Sequence, residues 1–449
     1  MTLSTVSRYD PDALSSVGSH AVVVGAGMAG LMAARVLADG FDKVTLLDRD
    51  PLPDRSAPRR GTPQAHHVHA MLEAGRATLE DLFPGYGAAV LAAGGTQIDI
   101  TTDLDYYHEG DFLAAGAESI PMLCATRPLF EAVARRRVAA LDSVVVRPET
   151  PVVSYCTDSE STVTGVTIRA DGDEETLPAD LVVDATGRTS RTPDWLDRHG
   201  YPVPDLEEVH VDLAYTTVAI ERPPDAQYGY LVSPSPSLPR GGTVIPVEDD
   251  RWLVTLFGFD GDHPPMTADA FHDFAVSLPT PAIAELLETN SLVSTEFQQY
   301  PFPASRRYAY EDLSRFPDGL VVLGDAIASF NPIYGQGMSV AALEAVHLHH
   351  ALANDGVADL APRFFARVAD VLDIVWRMTV GADFGFPWTD GSKPLGTDLF
   401  NKYLSCLIRT GHSDRHVADA FTRVLLLEQP PSTLFTPSIL LRVVLPSIP

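Results

Sequence analysis

Two glycine-punctuated stretches, far apart in the 449-residue chain, carry residue types that can hold a phosphate or a polar ring edge. The first, His20 to Asp50, reads HAVVVGAGMAGLMAARVLADGFDKVTLLDRD. Gly25 permits a tight turn after Val22–Val24, Gly27 lets the backbone approach a pyrophosphate, and Gly30 lets the following helix pack closely on the strand. Ala26, Met28 and Ala29 lie between these glycines and belong to the same cofactor-binding turn. A second apolar strand ends in Asp48, 23 residues after Gly25, where a carboxylate can accept from the hydroxyls of an adenosine ribose. Strand, glycine loop, helix, strand and acidic residue in this order predict a dinucleotide site, and the fingerprint alone leaves NAD and FAD open.

The second stretch, Gly324 to Ala345, reads GDAIASFNPIYGQGMSVAALEA. An apolar strand (Leu320 to Leu323) feeds Gly324 and Asp325, and Pro332, Gly335 and Gly337 bend the loop. From Met338, next to Gln336 and Gly337, good helix formers run without a proline until Pro362. The free N–H groups of such a helix start suit an anion or an electron-rich ring edge.

These stretches need a large scaffold. A chain that is 45% hydrophobic and 20% charged can bury a large core in two or so packed lobes. A net charge of −28 argues against nucleic acid or an anionic membrane face as a partner. Cys124, Cys156 and Cys406 lie far apart without a CxxC pair, so neither a disulfide framework nor a zinc ribbon is expected and a cytoplasmic location is. Residues 1–18 lack the layout of a signal peptide and are expected to be a flexible lead-in, and no run of about 18 apolar residues offers a membrane span. The apolar tail SILLRVVLPSIP is expected to pack on the protein itself, so membrane association is not expected. Short strands between Asp142 and Asp184 predict an antiparallel sheet, strands between Asp205 and Pro303 predict a second one, and 351–449 reads mainly helical.

One fingerprint near the N-terminus and a strand ending in Gly-Asp about 300 residues later is the layout of glutathione-reductase-type FAD proteins. With RRGTPQAHHVHAMLEAGRATLEDLFPG and ADLVVDATGRTSRTPDWL, the chain resembles the FAD-dependent monooxygenases of the p-hydroxybenzoate hydroxylase type, closest to bacterial polyketide and terpenoid epoxidases and to squalene-epoxidase-like enzymes. The resemblance implies an α/β fold: a Rossmann-type FAD domain with an antiparallel crossover sheet (19–85, 120–200 and 304–350), interleaved with a β-sheet substrate domain (86–119 and 201–303), and a C-terminal helical region (351–449).

The resemblance also implies site roles. Gly25, Gly27 and Gly30 would meet the pyrophosphate, Asp48 the adenosine ribose and Arg49 the adenine side. Arg127, which opens a helix, would reach the FAD phosphate or ribose, and Asp325 the ribitol. The loop through Pro332, Gly335, Gln336, Gly337 and Met338 would pass along the isoalloxazine. His67 and His69 stand where aromatic hydroxylases carry an arginine facing flavin and nicotinamide. Three histidines within four residues (His66, His67, His69), without cysteines nearby, do not suit a metal, and none is expected. His347, His349 and His350 are expected to be solvated or at the core edge.

The implied activity is epoxidation or hydroxylation of an apolar polyketide or isoprenoid-like small molecule by O2 through a flavin C4a-hydroperoxide, with electrons from NAD(P)H or a separate flavin reductase. Such chemistry needs no acid or base from the protein, and no catalytic side chain is singled out. Tyr215, Tyr230, Trp252, Phe257 and Phe302 are candidates to line the cavity. ATG in place of the DG dipeptide of many aromatic hydroxylases weakens that subclass. The halogenase WxWxIP stretch is absent, and so is the halogenase lysine, because no lysine occurs between Lys43 and Lys393. A prenyl or isoprenoid reductase is the alternative, and a non-catalytic flavin-binding protein the second.

Overall fold

The computed structural model describes residues 2–444 apart from 160, 161 and 171. Its central element is a five-stranded parallel sheet in the order Leu320–Val322, Leu181–Asp184, Gly18–Val24, Phe41–Leu47 and Val144–Arg147. Val22, Val23, Val182, Val183, Val321 and Val322 are fully buried. Such continuous apolar runs are what a parallel sheet covered on both faces requires. Helices Met28–Leu37 and Gly337–Asp355 pack together against it, so both glycine stretches open on one end of one sheet.

A three-stranded antiparallel sheet (Val152–Thr157, Val163–Ala170, Asp173–Pro178) branches from this layer, as expected for the crossover. The larger mixed sheet runs Ala328–Ser329, Gln298–Tyr308, Leu206–Glu221, Arg251–Phe259, Arg240–Val247, Gly229–Val232, Leu104–His108 and Asp111–Phe112, with Asp390–Gly391 paired alongside. Leu104–His108 joins parallel to Gly229–Val232, although about 120 residues separate them. The VEDDRW hairpin forms as predicted between Arg240–Val247 and Arg251–Phe259, with Asp249 and Asp250 at φ of 61° and 50°. Aspartate tolerates that left-handed region better than most residues. At the same turn Glu248 points inward, accepting from the backbone N–H of Thr126 at 3.0 Å and so tying the hairpin to the start of helix Arg127–Ala139.

Helices Leu360–Asp383, Thr397–Gly411, Arg415–Leu425 and Pro437–Val444 complete the chain and close a separate apolar cluster around Leu407, Phe421 and Leu434. Of the apolar tail, Ile439 packs into that cluster while Leu441 and Val444 are exposed, and residues 445–449 lie outside the described residues. No helix among the described residues is long and apolar enough to cross a membrane.

The N-terminal segment departs from expectation: residues 2–17 dock instead of forming a flexible lead-in. Tyr9 and Leu14 are buried, the Tyr9 hydroxyl donates to Asp39, and the backbone N–H groups of Leu3 and Ser4 donate to the carbonyls of Leu427 and Glu428 at 3.0 Å. Two buried apolar side chains and these bonds hold the segment in place. His347 and His349 are likewise core residues, since Tyr9 lies edge-on to His349 at 4.7 Å and covers that helix.

Candidate FAD-binding cleft and substrate cavity

The fingerprint glycines meet the steric conditions set for them. Gly25 has φ +104°, and a Cβ there would stand 2.4 Å from the Ala185 carbonyl; one at Gly30 would stand 1.8 Å from the Gly25 carbonyl. Strand Leu181–Asp184 and its ATG turn therefore press on the dinucleotide loop. At Gly27 a Cβ would find only the Arg59 guanidinium, at 3.9 Å, which leaves room over the start of helix Met28–Leu37 beside a cation. A pyrophosphate fits that combination of free N–H groups and positive charge.

Asp48 is buried at the end of its strand. It accepts from Ala26 N–H at 2.7 Å, Asp50 N–H at 2.9 Å and Arg59 at 3.0 Å, so it braces the glycine loop. Arg49 is exposed. Arg59 also reaches Glu131 at 3.3 Å, and Glu131 bonds Arg127 at 2.8 Å. Despite its burial, Glu131 is held below the usual carboxylate range by Arg127 and Arg59. The sequence reading missed Arg59 and Glu131: Arg59 meets Asp48 and Glu131, 11 and 72 residues away, whereas Glu131 stands four residues after Arg127 on one helix, and that spacing was the available signal for it.

At the other glycine stretch, the Asp325 side chain is exposed although neighbouring atoms crowd its carboxylate. Desolvation by that crowding raises its pKa against the pull of Arg127 and Arg188. The same two arginines thus face the residue proposed for the ribitol. Open space stands where side chains of Gly335 and Gly337 would project, and Gln336 is buried with its Oε1 unpartnered among the described residues. Gly27, Gly335 and Gly337 leave open space, and the Asp325 carboxylate as acceptor with two arginines and helix N-termini as donors is the set an FAD requires. The residues present fit the group.

His69 is half-buried near Arg127, and burial and that charge pull its pKa down to about 4. His67 is buried edge-on to Tyr215, shares a hydrogen bond with Thr217 at 2.7 Å, and burial lowers its pKa to about 3. Both rings are neutral at physiological pH, so neither replaces an arginine as a charge. No group of three or more His, Cys, Asp or Glu side chains that could hold a metal occurs among the described residues.

Glu344, on the helix that opens beside Gln336, is fully buried and accepts from Gly324 N–H at 2.5 Å. An acidic residue inside an apolar helical run was the available signal for it. Burial pushes its pKa from 4.5 to about 8, so folding takes up a proton here. The stability this gives is fully present below the unfolded value and is lost as pH rises through the folded one. Glu344→Gln keeps an acceptor for Gly324. It should melt like the parent near about pH 5 and several degrees higher near about pH 8.5. Thermal melts at both pH values check this, and equal shifts at both would remove the assignment.

A cavity of about 1480 Å³ opens against Ile333, Tyr334 and Gln336 of the loop, between the large sheet and the C-terminal helices. Of the five aromatic residues expected to line it, only Phe257 does. Tyr215 packs on His67, Trp252 and Tyr230 belong to the core beyond the sheet, and Phe302 lies under the Arg188 guanidinium at 4.7 Å. Strand alternation predicts two faces but not which face meets a void. The walls come instead from Leu104–His108 and from helices of the region 378–434. A second cavity, of about 480 Å³, is lined by Arg59, Arg60, His66, His67 and Tyr300 among others.

A family model described as "FAD binding domain" matches residues 19–356. Protein Rv3254 of Mycobacterium tuberculosis is 34% identical over 426 residues, covering 90% of this chain and 88% of the relative. The flavin-dependent brominase Bmp2 superposes with a TM-score of 0.64 at 17% identity, over 91% of this chain and 94% of its own. PqsL, a probable FAD-dependent monooxygenase from Pseudomonas aeruginosa, has a TM-score of 0.57 at 19% identity, over 90% and 99%. The p-nitrophenol 4-monooxygenase PnpA from Pseudomonas putida DLL-E4 has a TM-score of 0.61 at 16% identity, over 92% and 99%. At these identities the three structures share a fold with this chain, and a brominase among them says nothing of its chemistry.

Proposed function

The chain belongs to the FAD binding domain family, and from that premise we propose that it is an FAD-dependent monooxygenase acting on a large, mostly apolar small molecule of polyketide or isoprenoid type, by epoxidation or hydroxylation. The observation that carries this reading is the 1480 Å³ cavity against the Ile333–Gln336 loop. Ligand pockets commonly measure about 300–1,000 Å³, so a single phenol ring would leave most of this one to water. Its aliphatic and aromatic walls favour a substrate that fills it and displaces that water.

Bound FAD would supply the redox chemistry with O2. The proposed holding set is Gly25, Ala26, Gly27, Met28, Ala29, Gly30, Asp48, Arg49, His67, His69, Arg127, Gly324, Asp325, Pro332, Gly335, Gln336, Gly337 and Met338. Within it the chain's own work is to neutralise phosphate charge, orient the ring system and exclude water. The proposal keeps 19–85, 120–200 and 304–350 as the FAD domain, 86–119 and 201–303 as the substrate domain, 351–449 as the C-terminal helical region, and the cytoplasm as the location.

For electrons, the cationic second cavity beside His67 supports transient docking of NAD(P)H; a separate flavin reductase is the other source. The experiment supplies reduced enzyme with a polyene or polycyclic substrate under ¹⁸O2 and follows product mass. One labelled oxygen per product is expected. Saturated product formed equally well without O2 would replace this reading with that of an isoprenoid reductase.

A further inference from the structure

The large cavity is apolar over most of its wall, but two phenols that line it are arranged in opposite senses. Ser233 Oγ donates to the Tyr106 oxygen at 3.2 Å, and no acceptor for the Tyr106 O–H occurs among the described residues. Burial holds this phenol neutral, with its pKa pushed up to about 12, so it is a donor into the cavity. Tyr334 is the reverse. Its O–H donates to Asp383 Oδ1 at 2.9 Å, which leaves a phenolic oxygen free to accept. Both residues line this one cavity, and burial, with Asp383 and Tyr106 adding to it, raises the Tyr334 pKa.

Resting on the reading of this cavity as the substrate site, we infer that Tyr106 and Tyr334 determine specificity by reading a hydroxyl carried by a polycyclic substrate, with Asp383 the positioning residue that makes Tyr334 an acceptor. A hydroxyl seated between them accepts from Tyr106 and donates to Tyr334; a methyl ether can do only the first, and a hydrocarbon neither. The platform beside them suits a flat ring system, because Tyr106 lies nearly parallel to His108 (5.6 Å, 18°) and to Phe421 (6.3 Å, 23°). The substrate class is therefore a hydroxylated polycycle rather than an all-hydrocarbon polyene.

Asp383 gives the arrangement a pH dependence. It is fully buried at the end of helix Leu360–Asp383. Asn331 Nδ2 donates to its Oδ1 at 2.8 Å, and its Oδ2 has no partner among the described residues. Of the groups facing it, only Tyr334 and Asn331 act on its charge, no cation contributes, and Tyr106 is the next ionisable group beyond Tyr334. Burial pushes its pKa to about 7. The ionised carboxylate holds the Tyr334 proton; once protonated, Asp383 can donate to the Tyr334 oxygen, and Tyr334 then turns its own O–H into the cavity. Preference for a hydroxyl should exist above neutrality and fade below it.

The test uses FAD-loaded enzyme and three probes of one shape: 9-anthracenemethanol, 9-(methoxymethyl)anthracene and 9-methylanthracene, with binding read by anthracene fluorescence. At about pH 8 the alcohol should bind about tenfold tighter than the ether, as one hydrogen bond allows. At about pH 6 the gap should shrink to about twofold. Tyr334→Phe should abolish the gap at both pH values, and Tyr106→Phe should weaken alcohol and ether alike relative to the hydrocarbon. Asp383→Asn keeps an acceptor for Tyr334 and should show the same gap at both pH values. All variants should retain FAD, which shows that they are folded. Hydrocarbon binding as tightly as alcohol in the parent enzyme, or an alcohol preference that survives Tyr334→Phe, would overturn the inference. Absence of ¹⁸O incorporation with the preference intact would remove the oxygenase reading and leave this one standing.

Discussion

An Asp325→Ala protein should purify with little FAD while keeping its fold. The carboxylate, acted on by Arg127 and Arg188, follows the strand that feeds the flavin-side loop. Desolvation raises its pKa, so the folded protein gains nothing from ionising it there, and removing it should leave apo stability unchanged or slightly higher. Hydrogen bonds from ribitol hydroxyls to that charge are worth about 1.5–3 kcal/mol each. Losing one corresponds to roughly a 10- to 150-fold weaker affinity, and losing two multiplies the effect. Titration of apo protein with FAD, followed by flavin fluorescence, measures it. Unchanged affinity would show that Asp325 does not bind the ribitol.

The glycine fingerprint offers the other large effect, because two of its positions separate folding from cofactor binding. In Gly30→Val even the first added carbon would lie 1.8 Å from the Gly25 carbonyl, so the helix must move off the strand. The expected cost exceeds about 4 kcal/mol, the range of severe core overpacking and backbone strain, and the protein should be insoluble or molten. In Gly27→Ala the new methyl enters open space with Arg59 at 3.9 Å. That variant should keep the parental circular dichroism spectrum and melting curve yet lose most FAD, because the methyl stands where a pyrophosphate would approach. Equal FAD content in Gly27→Ala and parent would mean that the cofactor does not run across this helix start.

Local physics explains what could be read from the chain. The Gly25–Gly30 turn, the strand before Gly324 and the VEDDRW hairpin each depend on residues within a few positions of one another, and all three form as expected. Arg59, Asp383 and Tyr106 could not be found that way, whereas Glu131, four residues after Arg127 on one helix, could. The partners of Arg59 include a residue 72 positions away, and those of Asp383 lie 49 and 52 positions away, so their chemistry exists only after distant segments meet. The aromatic residues of the large sheet were misplaced for a related reason. A period of two sorts side chains into faces, but Trp252 and Phe257 could be told apart only once helices 397–411 and 415–425 showed which face borders the cavity. The N-terminal segment was underestimated because its anchor carbonyls, at Leu427 and Glu428, are at the far end of the chain.

That last strand of the parallel sheet, Leu320–Val322, pairs with Leu181–Asp184, which in turn flanks Gly18–Val24. On the ribosome, the fingerprint loop, its helix and its first two strand partners are therefore available long before the Gly324–Asp325 turn has been made. A nascent chain ending near residue 300 holds the fingerprint loop without the Gly324–Asp325 turn, and the edge of Leu181–Asp184 that later pairs with Leu320–Val322 lacks that partner throughout the interval. Synthesis of Leu320–Val322 covers that edge and brings the Gly324–Asp325 turn to the sheet that carries the fingerprint loop.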